Sequence, residues 1–228
     1  MVDQPMNEQG LAGEFNATSD EIAAYYDTWA LANYDDDVAA WGYEAPHRVA
    51  HMVAEHFASS AHLADAAVLD AGCGTGGVGQ ALHEQDLQNL VGGDFTPASV
   101  EAARSKGIYR AVDHLNLNER LNFDDGAFGA AVCVGVFSYL QDTAATIAEM
   151  LRVTQPGGIV IFTQRTDLWD VRECPAIIDR LVADGACTAT VSEPSAYLPR
   201  HPEFADKIGI IYSPVSYTHL TLPTTPYV

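Results

Sequence analysis

The residues best suited to chemistry lie in one glycine-rich stretch, from Val68 to Gly79. A short apolar run leads into it and is followed by Asp70, and a helix is predicted from Val78 to His83. Glycines between a strand and a helix let the backbone approach a ligand that side chains would block. The helix N-terminus also leaves N–H groups unpaired and aimed at that ligand. The stretch is therefore predicted to bind a ligand, and a simple strand-to-helix turn is disfavoured.

One interpretation of the stretch is a dinucleotide site. Gly72, Gly74 and Gly77 satisfy the spacing G-x-G-x-x-G. Asp94 follows Gly74 by 20 residues (94 − 74), where that fold places a ribose-binding acid. On this interpretation the chain is an NAD-dependent oxidoreductase.

A second interpretation includes the acid before the glycines. Asp70 is followed at every second position by Gly72, Gly74 and Gly76. A carboxylate at this point would repel a pyrophosphate, because both are anions. It suits a cationic ligand with an amino group, and S-adenosylmethionine, which has an ammonium, a sulfonium and no phosphate, is such a ligand. Asp70 therefore favours S-adenosylmethionine over NAD.

The segment from Leu69 to Gly76 resembles motif I of class I S-adenosylmethionine-dependent methyltransferases. The resemblance covers roughly residues 20–213 and is more specific outside the motif. Five further segments are similar to the Williams–Beuren-region methyltransferase-like family: Tyr26–Ala30, Tyr34–Val38, Tyr43–Pro46, Gly135–Phe137 and Tyr197–Pro199.

Strands alternate with helices at the spacing of βαβ units, which predicts an α/β fold with a mostly parallel sheet. The resemblance implies a Rossmann-like, doubly wound, seven-stranded sheet whose last strand, Ile208–Tyr212, is antiparallel. We expect a flexible tail over residues 1–18 and a single methyltransferase domain over residues 19–213. Within that domain, residues 19–62 are predicted to form a helical lid and residues 63–213 the Rossmann-like core.

The resemblance also suggests how the cofactor is held. Asp94 is placed to bind both ribose hydroxyls, and Phe95 to stack on adenine. The superfamily often has aspartate where Asn116 stands, but an asparagine carbonyl can still accept from the adenine amino group. A plain turn at Asn116 is the alternative, and Leu117 next to it is included in the predicted site. The motif I residues of the site are Asp70, Gly72, Cys73, Gly74 and Gly76.

Three further residues complete the predicted cofactor site. Gly135 ends a predicted strand beside the expected methionine moiety. Tyr26 and Trp29 belong to an aromatic-rich predicted helix, Glu21–Ala32, before the first strand. Aromatic faces attract a sulfonium by cation–π contact, whereas simple packing on the core is the alternative for both residues.

The composition is that of an acidic globular chain. Its 228 residues suffice for one α/β domain, and the formal net charge is −20, with only two lysines, Lys106 and Lys207. Such a surface repels phosphate backbones and anionic lipids, which disfavours nucleic-acid and membrane partners. No apolar run reaches the length of a membrane span and no signal peptide is recognised, so a cytoplasmic protein is expected.

Two patterns that suggest a metal have simpler explanations. The carboxylates of Asp35–Asp37 are consecutive and diverge on any regular backbone, so a solvated turn or helix start is favoured. His47, His51 and Glu55 recur at every fourth position, which places them on one solvated helix face. The four cysteines lack zinc-like spacing and are interpreted as reduced thiols. We therefore expect no metal site.

The C-terminal segment differs in character from the rest of the chain. Ser213–Val228 has no acidic residue and resembles translated sequencing-adapter sequence. Residues 214–228 are therefore assigned to a non-native tail, which is expected at most to extend the last strand by backbone pairing. Removal of the chain after Tyr212 is then expected to change stability little.

The resemblance implies an enzyme that methylates a small-molecule acceptor. Methyl transfer from a sulfonium is an in-line displacement whose leaving group needs no proton. Holding the nucleophile in line supplies up to ~7–11 kcal/mol in favourable cases, so no catalytic residue is assigned. Two alternatives stay open: a protein that binds the cofactor without turnover, and a protein methyltransferase, which an enclosing aromatic lid suits poorly.

The first prediction concerns the cofactor. S-adenosylmethionine and S-adenosylhomocysteine are expected to bind and NAD is not, because Asp70 stands where a pyrophosphate would approach. Isothermal calorimetry with the three ligands measures this. Binding of NAD without binding of S-adenosylmethionine would reverse the assignment.

Overall fold

The computed structural model describes residues 33–185, 187–202, 204–205 and 209–217 of the chain. The predicted tail 1–18, the predicted helix Glu21–Ala32 and its residues Tyr26 and Trp29 lie outside the described residues.

One sheet of eight strands organises the described part of the chain. The strands are β1 (Val68–Ala71), β2 (Leu90–Asp94), β3 (Ala111–His114), β4 (Phe128–Cys133), β5 (Thr154–Arg165), β6 (Cys187–Ala189), β7 (Ser195–Ala196) and β8 (Gly209–Tyr217). Their order is β3-β2-β1-β4-β5-β8-β6, and β7 pairs with β8 beside this path.

The predicted fold class is confirmed. Neighbours from β3 to β5 pair in parallel, whereas β8 is antiparallel to β5, β6 and β7. The sheet has one strand more than predicted, because β7 is only two residues long and too short to carry a periodic sequence signal.

Seven α-helices flank the sheet within the described residues. They are α1 (Tyr34–Trp41), α2 (Ala45–Ala58), α3 (Gly77–Glu84), α4 (Pro97–Ser105), α5 (Thr143–Val153), α6 (Thr166–Trp169) and α7 (Cys174–Ala183), and 3₁₀ turns cover Ala61–Leu63 and Phe137–Tyr139.

The helix starts follow local side-chain chemistry. The Thr96 hydroxyl accepts from the Ser99 amide at 3.3 Å and caps α4, where Pro97 fills the first position. Asp142 caps α5 in the same way by accepting from the Ala145 amide at 2.9 Å. Asp35–Asp37 occupy the first turn of α1, where carboxylates interact favourably with the helix dipole.

The two faces of the sheet bury separate cores. In β5, Val160 and Phe162 belong to the core with α5 and α7, whereas Ile159 and Ile161 belong to the core with α2 and α3. This alternation follows from the two-residue period of a strand with both faces covered. Helix α2 lies within the predicted lid, yet it buries Val49, Val53 and Phe57 against the sheet.

The segment Gln155–Gly158 has the proline and glycines that are typical of a turn, yet it lies inside β5. Phe128 pairs with Thr154 and Ala130 pairs with Ile159, so the residues between them bulge from the ladder. Gly157 has a φ of +83°, a conformation that glycine adopts without steric cost. The turn chemistry is therefore present, but it interrupts a strand instead of preceding it.

From β1 the chain adds β2 and β3 on one side of the sheet, and it then adds β4 and β5 on the other side. The direction of strand addition therefore reverses between β1 and β4. A crevice opens at the carboxyl ends of the strands at such a point, and ligands of open α/β sheets bind there. The glycine stretch follows β1 and therefore lies at this crevice.

The last strand continues into the segment expected to be foreign. Backbone pairs run from Ser213 with Phe162 to Ser216 with Ile159, and β6 pairs with β8 entirely beyond Tyr212. Val215 is fully buried in the core with α5 and α7. The pairing by backbone agrees with the expectation, whereas the burial of the Val215 side chain goes beyond backbone pairing. Residues 218–228 lie outside the described residues.

The second prediction concerns β8. Truncation after Tyr212 removes the burial of Val215, which is worth ~1.5–3 kcal/mol, and the strand that pairs with β6. The melting temperature is expected to fall by roughly 5 °C or more. Truncation after Tyr217 keeps all of β8 and is the matched control. Equal melting temperatures for the two truncated chains would show that the end of β8 contributes nothing.

Candidate functional site

A cavity of about 210 Å³ opens at the carboxyl ends of β1, β2 and β4. The described residues that line this cavity come from the glycine loop, the ends of β2 and β4, the turn after β3, helix α1 and the segment around Tyr197. They include eight of the predicted cofactor residues: Gly72, Cys73, Gly74, Asp94, Phe95, Asn116, Leu117 and Gly135. Asp70 and Gly76 are not among the described residues that line it.

The glycine loop is fixed by its own backbone. The amides of Gly72 and Cys73 both donate to the Gly93 carbonyl, at 2.7 and 3.0 Å. Gly72 has a φ of +78°, and a Cβ there would lie 2.6 Å from Val136. A side chain at this position would therefore be strained and would collide with the cavity wall.

Asp94 connects the end of β2 to two other parts of the site. Its Oδ2 accepts from the Gly74 amide at 2.9 Å. Its Oδ1 accepts from the amide and the hydroxyl of Thr96, at 2.9 and 3.1 Å. A carboxylate offers roughly four acceptor positions, and the described residues occupy three of those of Asp94, which leaves one for a ligand. Asp94 thus supports the start of α4 and lines the cavity, and its contact with ribose stays a prediction.

Asp70 lies behind the loop. Its side chain is fully buried, and the Tyr109 hydroxyl donates to its Oδ2 at 2.6 Å. Burial raises the pKa of Asp70 to about 7, although the Tyr109 hydrogen bond opposes this shift. Asp70 is therefore held behind the loop by a contact that sequence reasoning did not anticipate. Nothing local marks Tyr109, because it lies 39 residues away in the chain.

Asn116 forms the turn that was the alternative to its predicted role. Its amide donates to Glu119 at 2.8 Å, and its carbonyl oxygen accepts from the Asn118 amide at 3.1 Å. The same residue lines the cavity, so the turn holds it there. Phe95 also lines the cavity, and its ring lies 5.4 Å from that of His114.

Helix α1 is held to the glycine loop by contacts that the sequence did not reveal. The Thr75 hydroxyl donates to Asp35 Oδ1, and Lys106 Nζ lies 2.8 Å from Asp35 Oδ2. Asp35 and Thr75 line the cavity. The Asp35 side chain is 51% exposed, so the ion pair contributes at most ~1 kcal/mol. Its effect is to position α1 over the cavity.

Four tyrosines from three parts of the chain form much of the remaining wall. The rings of Tyr43 and Tyr197 meet edge to face, with centroids 5.5 Å apart. Tyr34 and Tyr139 line the same cavity. The sequence segments that resemble the methyltransferase-like family include Tyr34, Tyr43 and Tyr197, but the sequence assigns them no chemical role.

The thiol of Cys73, which lines the cavity, is not reactive. Burial raises the pKa of Cys73, and the carboxylates of Asp70 and Asp94 raise it further. The thiol is therefore protonated at neutral pH and is not a nucleophile. Among the described residues, no group of three or more histidines, cysteines and acids is placed to hold a metal.

No helix in the described ranges combines the length and the apolar character that crossing a bilayer requires.

Comparison with known proteins agrees with this geometry. A family profile described as a methyltransferase domain matches residues 69–162. Methyltransferase-like protein 27 of Homo sapiens is 34% identical over 174 residues, which is 75% of this chain and 69% of that protein. The 2-methyl-6-phytyl-1,4-hydroquinone methyltransferase of Synechocystis sp. is 25% identical, over 92% of this chain and 71% of that protein.

Solved structures share the fold. A TehB-like S-adenosylmethionine-dependent methyltransferase from Corynebacterium glutamicum superposes with a TM-score of 0.58 at 19% identity. The alignment covers 86% of this chain and 99% of that one.

The third prediction concerns Asp94. Asp94→Ala is expected to weaken binding of S-adenosylhomocysteine at least tenfold, because a charged hydrogen bond contributes roughly 1.5–3 kcal/mol. It is also expected to lower the melting temperature, since the Gly74 and Thr96 contacts are lost. Calorimetry and thermal unfolding measure the two effects separately.

Asp113→Ala is the matched control. It removes the same charge from the neighbouring strand, where the side chain is 79% exposed and pairs with Arg104. A folded Asp94→Ala variant with the affinity of the Asp113→Ala control would show that Asp94 has only a structural role.

Proposed function

The chain belongs to the class I S-adenosylmethionine-dependent methyltransferases, and on that premise we propose that it methylates a small-molecule acceptor in the cavity described above. The predicted family and cofactor are confirmed by the comparisons. The observation that carries the proposal is that residues predicted to hold the cofactor share one cavity with the tyrosines of α1, the α1–α2 connection and the segment around Tyr197. An acceptor in that cavity lies next to the bound cofactor.

S-adenosylmethionine, when bound, supplies an electrophilic methyl group on a sulfonium. The residues of this chain orient it. The proposed roles are that Asp94 uses its remaining acceptor position for the ribose, and that Phe95 and Leu117 pack on adenine. The backbone of Gly72 and Gly74 approaches the amino-acid end, where side chains are missing. Asp70, buried behind the loop, favours a cation in front of it, and a bound cation in turn stabilises the ionised form of its carboxyl.

General acid–base catalysis is proposed to contribute little to the methyl transfer. Burial raises the pKa of Tyr34 and of Tyr43, so both phenols are neutral at physiological pH. The carboxylates of Asp35 and Asp94 are already hydrogen-bonded. Among the described lining residues, no group is therefore poised as a general base. Catalysis is proposed to rest on holding the acceptor in line with the methyl group.

Three further observations support a small acceptor. The Synechocystis relative is named for a hydroquinone, which is a small organic molecule. The net charge of −20 opposes an approach by nucleic acid. The cavity wall also includes α1, which Asp35 holds against Thr75 of the glycine loop, an arrangement that suits an enclosed ligand better than a peptide groove.

The fourth prediction concerns turnover. Purified protein, incubated with a metabolite extract and S-adenosylmethionine carrying a deuterated methyl group, is expected to release S-adenosylhomocysteine and to yield a small molecule with the corresponding mass increase. The Asp94→Ala variant is the matched control and is expected to give at least tenfold less product.

Two other results would overturn the proposal in different ways. Tight cofactor binding without a labelled product would indicate a binding protein without turnover. Label found only in the protein fraction of the extract would indicate a protein methyltransferase.

A further inference from the structure

The Tyr43 hydroxyl has no hydrogen-bond partner in the described part of the chain, although its oxygen is buried. The residue lines the cavity, and a Cβ built on Gly135 would lie 2.9 Å from the hydroxyl oxygen. The glycine at position 135 therefore leaves the hydroxyl free to face a ligand. A buried polar group without a partner costs free energy, and a ligand atom that accepts a hydrogen bond removes this cost.

The protonation of Tyr43 determines what this ligand atom is. Burial raises the pKa of Tyr43 well above its ordinary value, and the neighbouring Tyr197 and Tyr34 raise it further. The phenol therefore keeps its proton and acts as a donor. A phenol can also accept, but its buried proton is satisfied only by a partner with a lone pair, which a carbonyl, ether or hydroxyl oxygen has and a protonated amine has not.

The charges of the described lining residues disfavour an anionic partner. The described lining residues include the carboxylates of Asp35 and Asp94 and no lysine, arginine or histidine. Lys106 is paired with Asp35 at 2.8 Å. Arg165 interacts electrostatically with two of the tyrosines, but it forms two hydrogen bonds to Asp167, at 3.1 and 2.7 Å. A carboxylate or phosphate on the acceptor would meet carboxylates, and none of the described lining residues carries a positive charge.

The rest of the wall near Tyr43 is apolar or aromatic. Side chains from α1, the end of β4, the following 3₁₀ turn and the segment after β7 contribute to it: Val38, Val136, Tyr139, Leu140, Tyr197 and Leu198. Such a surface favours an apolar or aromatic body.

We propose that the methyl acceptor is an uncharged molecule with an apolar body and an oxygen that accepts a hydrogen bond from Tyr43. This inference rests on the proposed function, because it names the class of acceptor that the same site takes. Tyr43 is then a specificity-determining residue that orients the acceptor and moves no proton. The C–S bond breaks with both of its electrons left on sulfur, and the bond to the methyl carbon forms from a lone pair of the acceptor. The methylated atom of the acceptor releases its proton to solvent, so the product is uncharged again.

Ion-exchange chromatography of the labelled product tests the charge. The product from the metabolite extract is applied at pH 7 to an anion exchanger and to a cation exchanger, and is expected to pass through both. Retention of the main labelled product on either resin overturns the inference and leaves the proposed function intact. Absence of any labelled product overturns the proposed function itself, and the inference with it.

The Tyr43→Phe variant tests the hydrogen bond. It keeps the ring and removes the hydroxyl. The kcat/KM for the acceptor identified from the labelled product is therefore expected to fall by roughly threefold to tenfold, with unchanged affinity for S-adenosylhomocysteine. Tyr212→Phe removes a buried tyrosine hydroxyl outside the described cavity lining and is expected to keep kcat/KM.

Either of two results would refute the role of Tyr43. An unchanged kcat/KM in Tyr43→Phe would show that the hydroxyl does not contact the acceptor. An equal loss in the affinity for S-adenosylhomocysteine would show that its partner is the cofactor.

Discussion

The hydrogen bond from the Gly74 amide to Asp94 is the contact on which the site depends. It joins the loop after β1 to the end of β2. The other oxygen of the carboxylate holds Thr96, which itself caps α4. One side chain therefore fixes the relative positions of a loop, a strand end and a helix start. A ligand that meets this arrangement finds its donors and acceptors already placed, which lowers the entropic cost of binding.

Electrostatics divide the cavity into two kinds of wall. Behind the glycine loop, Asp70 is buried with a raised pKa, so its average charge depends on small changes in its surroundings. On the other side, buried phenols such as Tyr34 and Tyr43 stay neutral. A positive charge is thus favoured near the loop, where Asp35 and Asp94 also carry carboxylates. The side chains that act on Tyr43 are other tyrosines. This asymmetry suits a reaction in which a cationic donor faces an uncharged acceptor.

Sequence reasoning succeeded where the signal is local. The glycine loop and the helix that follows it depend on residues within a few positions of one another, and the structure places both as predicted. It failed for contacts between distant parts of the chain. Asp35 with Lys106 and Asp70 with Tyr109 are separated by 71 and 39 residues, and no periodicity relates such pairs. Only the fold brings these pairs together.

The position of β8 has a consequence for the order of assembly. This strand is the last described element in the chain, yet it lies between β5 and β6. Among the described strands, β6 pairs only with β8, so β6 cannot join the sheet before β8 exists. During synthesis, the parallel strands β1 to β5 can pair with one another while β6 still lacks its partner strand. Contacts between residues so far apart in the chain slow folding. Until β8 has been synthesised, the edge of β5 is unpaired and can bind other chains.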